Sequence, residues 1–114
     1  MTEVFFHSFQ NGIYQVTVNG HSGYANEGED IVCSAISILT YTLYCKMSKM
    51  QSEDKLNGKM YVSMEKGFCT LSAKPNIKNE EEFKVVIDVI HTGFEALEQE
   101  YPDYVKIIKR IDMA

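Results

Sequence analysis

The sequence predicts an α+β domain: a two-layer sandwich in which an antiparallel sheet built from two β-hairpins carries two amphipathic helices on one face, in the order β-β-α-β-β-α-β. Three observations predict it. Two pairs of β-rich segments each close on a glycine turn. Two longer segments repeat apolar residues at helical spacing. The 114 residues, 45% of them apolar, are enough to bury one core without disulfides or metals, so one domain over residues 1–114 is expected.

Val4 to Phe9 is aromatic and β-rich, and Gln10-Asn11-Gly12 supplies a turn before Ile13 to Asn19 alternates apolar with polar residues. Lys59 to Met64 and Phe68 to Ala73 repeat that pattern around Glu65-Lys66-Gly67, where glycine can take the positive φ of a tight hairpin. Between the hairpins, Val32, Ile36, Leu39, Leu43 and Met47 recur at spacings of four, three, four and four, one stripe along a helix that Asp30 is placed to cap. Phe83, Val86, Ile87, Ile90, Phe94 and Leu97 draw a second stripe. Asn79 stands at its N-cap position, and Glu80 to Glu82 favour its positive first turn. Tyr101-Pro102 ends that helix, and Tyr104 to Ile108 is expected to add a last strand at the sheet edge or centre.

Charge and composition narrow the function. Eleven basic against 16 acidic residues give a net charge of −5, which argues against a nucleic-acid surface and leaves a basic protein or peptide partner allowed. Uninterrupted apolar runs reach only three or four residues, as at Val85 to Ile87, so no membrane span is expected. Met1 to His7 lack a basic start and a long apolar stretch, so the expected location is cytoplasmic. The three cysteines, Cys33, Cys45 and Cys69, are an odd set without metal-ligand spacing; neither a disulfide framework nor a metal or cofactor is expected. They are either small packing residues or include one reactive thiol. Cys45 and Cys69 read as packing residues, and His7 and His91 as structural or surface histidines.

One segment departs from ordinary core and surface. Asn19 to Asp30 carries Gly20, Gly23 and Gly28 within nine residues, an expected mobile loop between a strand end and a helix start. His21 opens it and Cys33 follows in the first turn of the helix. The unpaired N–H groups and dipole of a helix start favour a thiolate, and an adjacent imidazole would complete a nucleophile–base pair. The amides of Cys33 and Ser34 are candidate donors to an oxyanion. Ser37, one turn beyond Cys33, flanks the apolar stripe and suits a cleft edge. Asp30 has two readings, helix cap or the carboxylate that orients His21. Tyr24, held between glycines, is a candidate to close over a bound peptide.

Gly20-His21-Ser22-Gly23-Tyr24-Ala25, then Gly28, then Asp30-Ile31-Val32-Cys33-Ser34-Ala35-Ile36-Ser37 resembles the signature of the bacterial ribosomal-processing cysteine protease family, Prp. The element order, the length and the ending Tyr101-Pro102-Asp103-Tyr104-Val105 resemble it too. Ser22 and Ser34 depart from it, since the family more often carries alanine at both places. The resemblance implies a cysteine endopeptidase that removes the N-terminal extension of a large-subunit ribosomal protein, the twenty-seventh in the standard naming, during ribosome maturation. His21 and Cys33 would be its catalytic dyad, Gly20, Gly23 and Gly28 its loop hinges, and Ser34, Ser37 and Tyr24 its substrate or oxyanion neighbourhood. It also implies a homodimer, an apolar groove for the peptide and no cofactor. Two other classes stand beside it: a non-enzymatic ribosome-associated binding module, and a thiol redox sensor at Cys33.

Overall fold

A computed structural model describes residues 1–111. Its elements run β1 (Thr2–Ser8), β2 (Tyr14–Asn19), α1 (Ile31–Ser52), β3 (Tyr61–Glu65), β4 (Phe68–Ala73), a short 3-10 turn (Ile77–Asn79), α2 (Glu80–Glu100) and β5 (Val105–Ile111). The predicted order and both hairpins are present. Gly12 and Gly67 close the hairpins at φ of +90° and +77°, in the left-handed region that glycine alone enters without a steric cost.

The sheet order is β3-β4-β2-β1-β5. β2 and β4 join the hairpins antiparallel, with Val16 opposite Leu71 and Val18 opposite Cys69. The wholly antiparallel expectation fails at one edge: β5 lies parallel to β1, with Val4 opposite Ile107. The reason is α2. A helix of 21 residues carries the chain back along the sheet, so the following strand re-enters in the direction of β1, as crossover connections do.

The core lies between the sheet and the helices. Val4 and Phe6 of β1, Val16 and Val18 of β2, Leu71 and Ala73 of β4 and Val105 of β5 share the inner face with Val32, Ile36, Leu43, Met47 and Met50 of α1 and Phe83, Ile90 and Phe94 of α2. Phe6 meets Phe94 edge to face at a ring separation of 5.9 Å. Where the helices cross, Gly93 of α2 admits Leu39 of α1 so closely that a Cβ there would stand 2.7 Å from its Cδ2. By length and composition α1 suffices to cross a bilayer, which short apolar runs had argued against. Here its apolar stripe is spent on the sheet, as in the core helix of a folded protein.

The helix starts differ. Asp30 caps α1, its carboxylate accepting the Cys33 amide. Asn79 stands at the N-cap position of α2 as expected, but its side chain makes no capping bond: it also closes the 3-10 turn that precedes the helix, and its Oδ1 is buried without a partner. Glu80, Glu81 and Glu82 occupy the first turn of α2 as expected. Phe94 is fully buried, so Phe94→Ala should cost about 3–5 kcal/mol of unfolding free energy, measured by urea denaturation.

Candidate functional site

The end of β2 and the start of α1 meet at one end of the sandwich, and the loop between them is held by a single carboxylate. Asp30 Oδ1 accepts the Cys33 amide at 2.8 Å. Its Oδ2 accepts the Ser22 hydroxyl at 2.6 Å, the Tyr24 amide at 3.1 Å and the Ala25 amide at 3.3 Å. Burial by itself would raise the pKa of Asp30; the hydrogen bonds from Ser22 and from the Cys33 and Ala25 amides outweigh it and hold the carboxyl at about 2. None of these partners is His21, so Asp30 acts here as cap and loop clamp, and the cap reading describes it. The loop is therefore tethered along residues 22 to 25, more than its glycine content suggests.

Cys33 is half-buried at the third residue of α1. Its Sγ receives the Ser22 amide at 3.5 Å and lies 3.3 Å from the Ser22 hydroxyl. His21 is exposed and rests its imidazole on the β3–β4 turn, where a Cβ on Gly67 would stand 2.8 Å from its Nε2. Among the described residues no hydrogen bond joins His21 to Cys33, yet both line the same cleft of about 820 Å³ with Ser37, Ile38, Tyr41 and Lys66. A second opening of about 490 Å³ also reaches both residues; Ile36, Tyr41, Met64 and Phe68 give it apolar walls. An ion pair of 3.1 Å between Glu27 of the loop and Lys66 of the turn spans the cleft.

The other expected site residues divide. Ser37 lines both openings, and Ser34 is exposed with its hydroxyl donated to the Asp30 carbonyl at 3.2 Å. The two amides expected to hold an oxyanion are already engaged: Cys33 N by Asp30 Oδ1, and Ser34 N by the Asp30 carbonyl at 3.1 Å. An N-cap whose side chain and carbonyl both fold onto the first turn consumes those donors. Tyr24 lies outside both openings. Its ring stays partly exposed to solvent and packs edge-on against Tyr101 at 5.5 Å and Tyr104 at 5.2 Å, the geometry the ring quadrupoles favour.

Gly20, Gly23 and Gly28 all take positive φ, but Gly20 is an anchor instead of a hinge. Its amide donates to the Gly67 carbonyl at 2.8 Å, and a Cβ would meet the Met1 carbonyl oxygen at 2.7 Å. Cys45 is exposed on α1 instead of packed. Cys69 is half-buried, and burial pushes its thiol pKa up. His7 and His91 lie outside both openings: His7 stacks on Phe9 at 3.9 Å, and His91 pairs with Glu95 at 3.0 Å. No cluster of three or more potential metal ligands occurs among the described residues.

The chain matches the family model described as Cysteine protease Prp over residues 1–106. Three solved structures share the fold. The essential ribosomal processing protease Prp from S. aureus, in complex with a covalently linked product peptide, superposes with a TM-score of 0.73 at 16% identity, over 96% of this chain and 99% of that one. The same protease with a substrate peptide gives 0.67 at 14% identity, over 96% and 99%. SMU.848 from Streptococcus mutans gives 0.66 at 22% identity, over 98% and 96%. No curated protein matches the sequence significantly.

The Asp30 clamp carries a signed pH dependence. Its pKa is lowered from 3.8 to about 2 on folding, so its stabilisation is complete above about pH 4 and drains away as pH falls toward 2. Asp30→Ala should lower unfolding free energy by about 1–2 kcal/mol at pH 7. The gap to the unmodified protein, read as Tm against pH, should close as pH drops from 4 to 2.

Proposed function

Because the chain belongs to the cysteine protease Prp family, we propose that it removes the N-terminal extension of a large-subunit ribosomal protein, the twenty-seventh, with Cys33 as nucleophile and His21 as base. The protein is a cysteine-type peptidase of a ribosomal-processing family, which leaves the non-enzymatic reading without support. The observation that carries the residue assignment is the shared cleft: a half-buried thiol at a helix start and an exposed imidazole line one cavity, walled on one side by apolar residues.

The chemistry then runs in order. His21 crosses the cleft from Gly67 and takes the Cys33 thiol proton, and Sγ attacks the scissile carbonyl carbon. The positive end of α1 faces the negative charge that develops on the carbonyl oxygen. His21 returns the proton to the leaving amine, and water then hydrolyses the thioester. The walls formed by Ile36, Tyr41, Met64 and Phe68 suit an apolar and aromatic peptide segment, the kind that precedes the family's cleavage site. To admit it, the exposed Glu27–Lys66 pair must part; such a surface pair is worth no more than about 1 kcal/mol. A cytoplasmic homodimer is part of this reading, and the net charge of −5 would draw a basic ribosomal precursor at long range.

Incubating the protein with the extended precursor and weighing the products by mass spectrometry tests the assignment. Cys33→Ala and Cys33→Ser should each lower kcat/KM by at least about 10³-fold while keeping the fold. An uncut precursor, or full activity in Cys33→Ala, would reject it. Raising the salt should lower kcat/KM for the basic precursor and leave that for a short neutral peptide unchanged.

A further inference from the structure

Ser22 is among the most deeply buried polar residues of the site, 1% exposed, and it stands between the Asp30 carboxylate and the Cys33 sulfur. A serine hydroxyl has one proton to give and two lone pairs to receive. At neutral pH the Asp30 carboxylate is ionised and has no proton to offer, so at 2.6 Å the hydroxyl proton belongs to the bond toward Oδ2. The Tyr24 amide, 3.3 Å from Oγ, donates to one lone pair. The Cys33 sulfur, 3.3 Å away, has only the second lone pair to meet, and it meets it as a donor, Sγ–H to Oγ.

We propose that Ser22 is a positioning residue that keeps Cys33 in its thiol form at rest, by offering the sulfur an acceptor whose own proton is committed to Asp30. The hydroxyl satisfies the thiol and leaves a thiolate facing a lone pair. A hydrogen bond to the neutral form of an acid opposes its ionisation. The Ser22 backbone amide acts the other way, donating to the same sulfur at 3.5 Å, and side-chain substitution leaves it in place. The charged and titratable groups around the two openings are His21, Glu27 and Asp30 from the loop, Tyr41 from α1, and Glu65, Lys66 and Cys69 from the β3–β4 hairpin. Of these, Asp30 alone is bonded to the Ser22 side chain; it also has a direct side-chain bond with Cys33, which stays in place in Ser22→Ala, so the substitution reads the hydroxyl's own contribution.

The role of Ser22 in catalysis rests on the reading of Cys33 as nucleophile; the proton arrangement itself can be measured without any protease substrate. Iodoacetamide alkylation of Cys33 is followed by mass spectrometry from pH 5 to 10, relative to Cys69 in the same chain. In Ser22→Ala the midpoint should move about one pH unit lower, which below the midpoint means about tenfold more thiolate and, since a less basic thiolate is a weaker nucleophile, about a three- to fourfold faster reaction. Ser22→Thr, which keeps the hydroxyl, should retain the unmodified profile. An unmoved midpoint, a midpoint moved upward, or a Ser22→Thr profile that follows Ser22→Ala overturns the proposal. Precursor cleavage assayed in parallel separates the two readings. A moved midpoint in a chain that cuts no precursor supports this arrangement and removes the nucleophile assignment; an active protease with an unmoved midpoint does the reverse.

Discussion

The Asp30 carboxylate is the point on which the rest of the site depends. Its two oxygens receive four donors from two separate stretches of chain: the first turn of α1 and residues 22 to 25 of the preceding loop. A buried carboxylate is costly unless its charge is met by donors. Here they are supplied by the Ser22 hydroxyl and by three backbone amides that a helix start and an irregular loop would otherwise leave unpaired. The same bonds that make the charge tolerable therefore fix where the Cys33 sulfur stands relative to Ser22. Losing the carboxylate would free a helix end and a loop at once.

What could be read from the chain follows the range of the forces involved. The hairpins, the α1 stripe and the Asp30 cap are local: turn chemistry, a period of 3.6 and an Asp before an apolar run are each written within a few residues. The edge position of β5 and its parallel pairing with β1 join Val105 to Thr2, and no local pattern encodes a partner a hundred residues away. The Asn79 cap position was legible too, but not that its side chain makes no capping bond, because the chain enters α2 directly from a 3-10 turn. At the site, His21 and Cys33 were legible as residue types in a glycine-rich loop. The opposite wall was not, since Met64, Lys66, Gly67 and Phe68 reach the cleft only through the pairing of β4 with β2. Ser22 carried a weak signal: a small polar side chain beside His21 that folding buries against a charge.

The three cysteines show how environment separates chemically identical side chains. Cys69 faces the inner side of β4, where desolvation penalises its ionised form. Cys45 is exposed on α1, one turn from Tyr41, and lines neither opening of the site. Cys33 alone combines a helix start, an amide and a hydroxyl at its sulfur, and an opening shared with an imidazole. The odd count that excludes a complete disulfide framework thus resolves into three different surroundings, and the proposed nucleophile is the one whose sulfur meets an amide and a hydroxyl.

The clamp also decides which part of the loop is free to move. Residues 22 to 25 are held twice, by Asp30 and by Tyr24 wedged edge-on between Tyr101 and Tyr104, contacts worth about 0.5–1.5 kcal/mol each. Residues 26 to 29 are held by one turn bond, Glu29 N to Asn26 O at 2.9 Å, and by the solvent-exposed Glu27–Lys66 pair. The weakest attachments therefore lie at the tip that borders the cleft, and the strongest lie beside the sulfur. Parting the Glu27–Lys66 pair would leave the Ser22 and Asp30 contacts beside Cys33 in place, because the two sets of bonds share no donor or acceptor. The loop thus divides into a held stretch that contains Gly23 and the buried, bonded Ser22, and a weakly attached tip that contains Gly28.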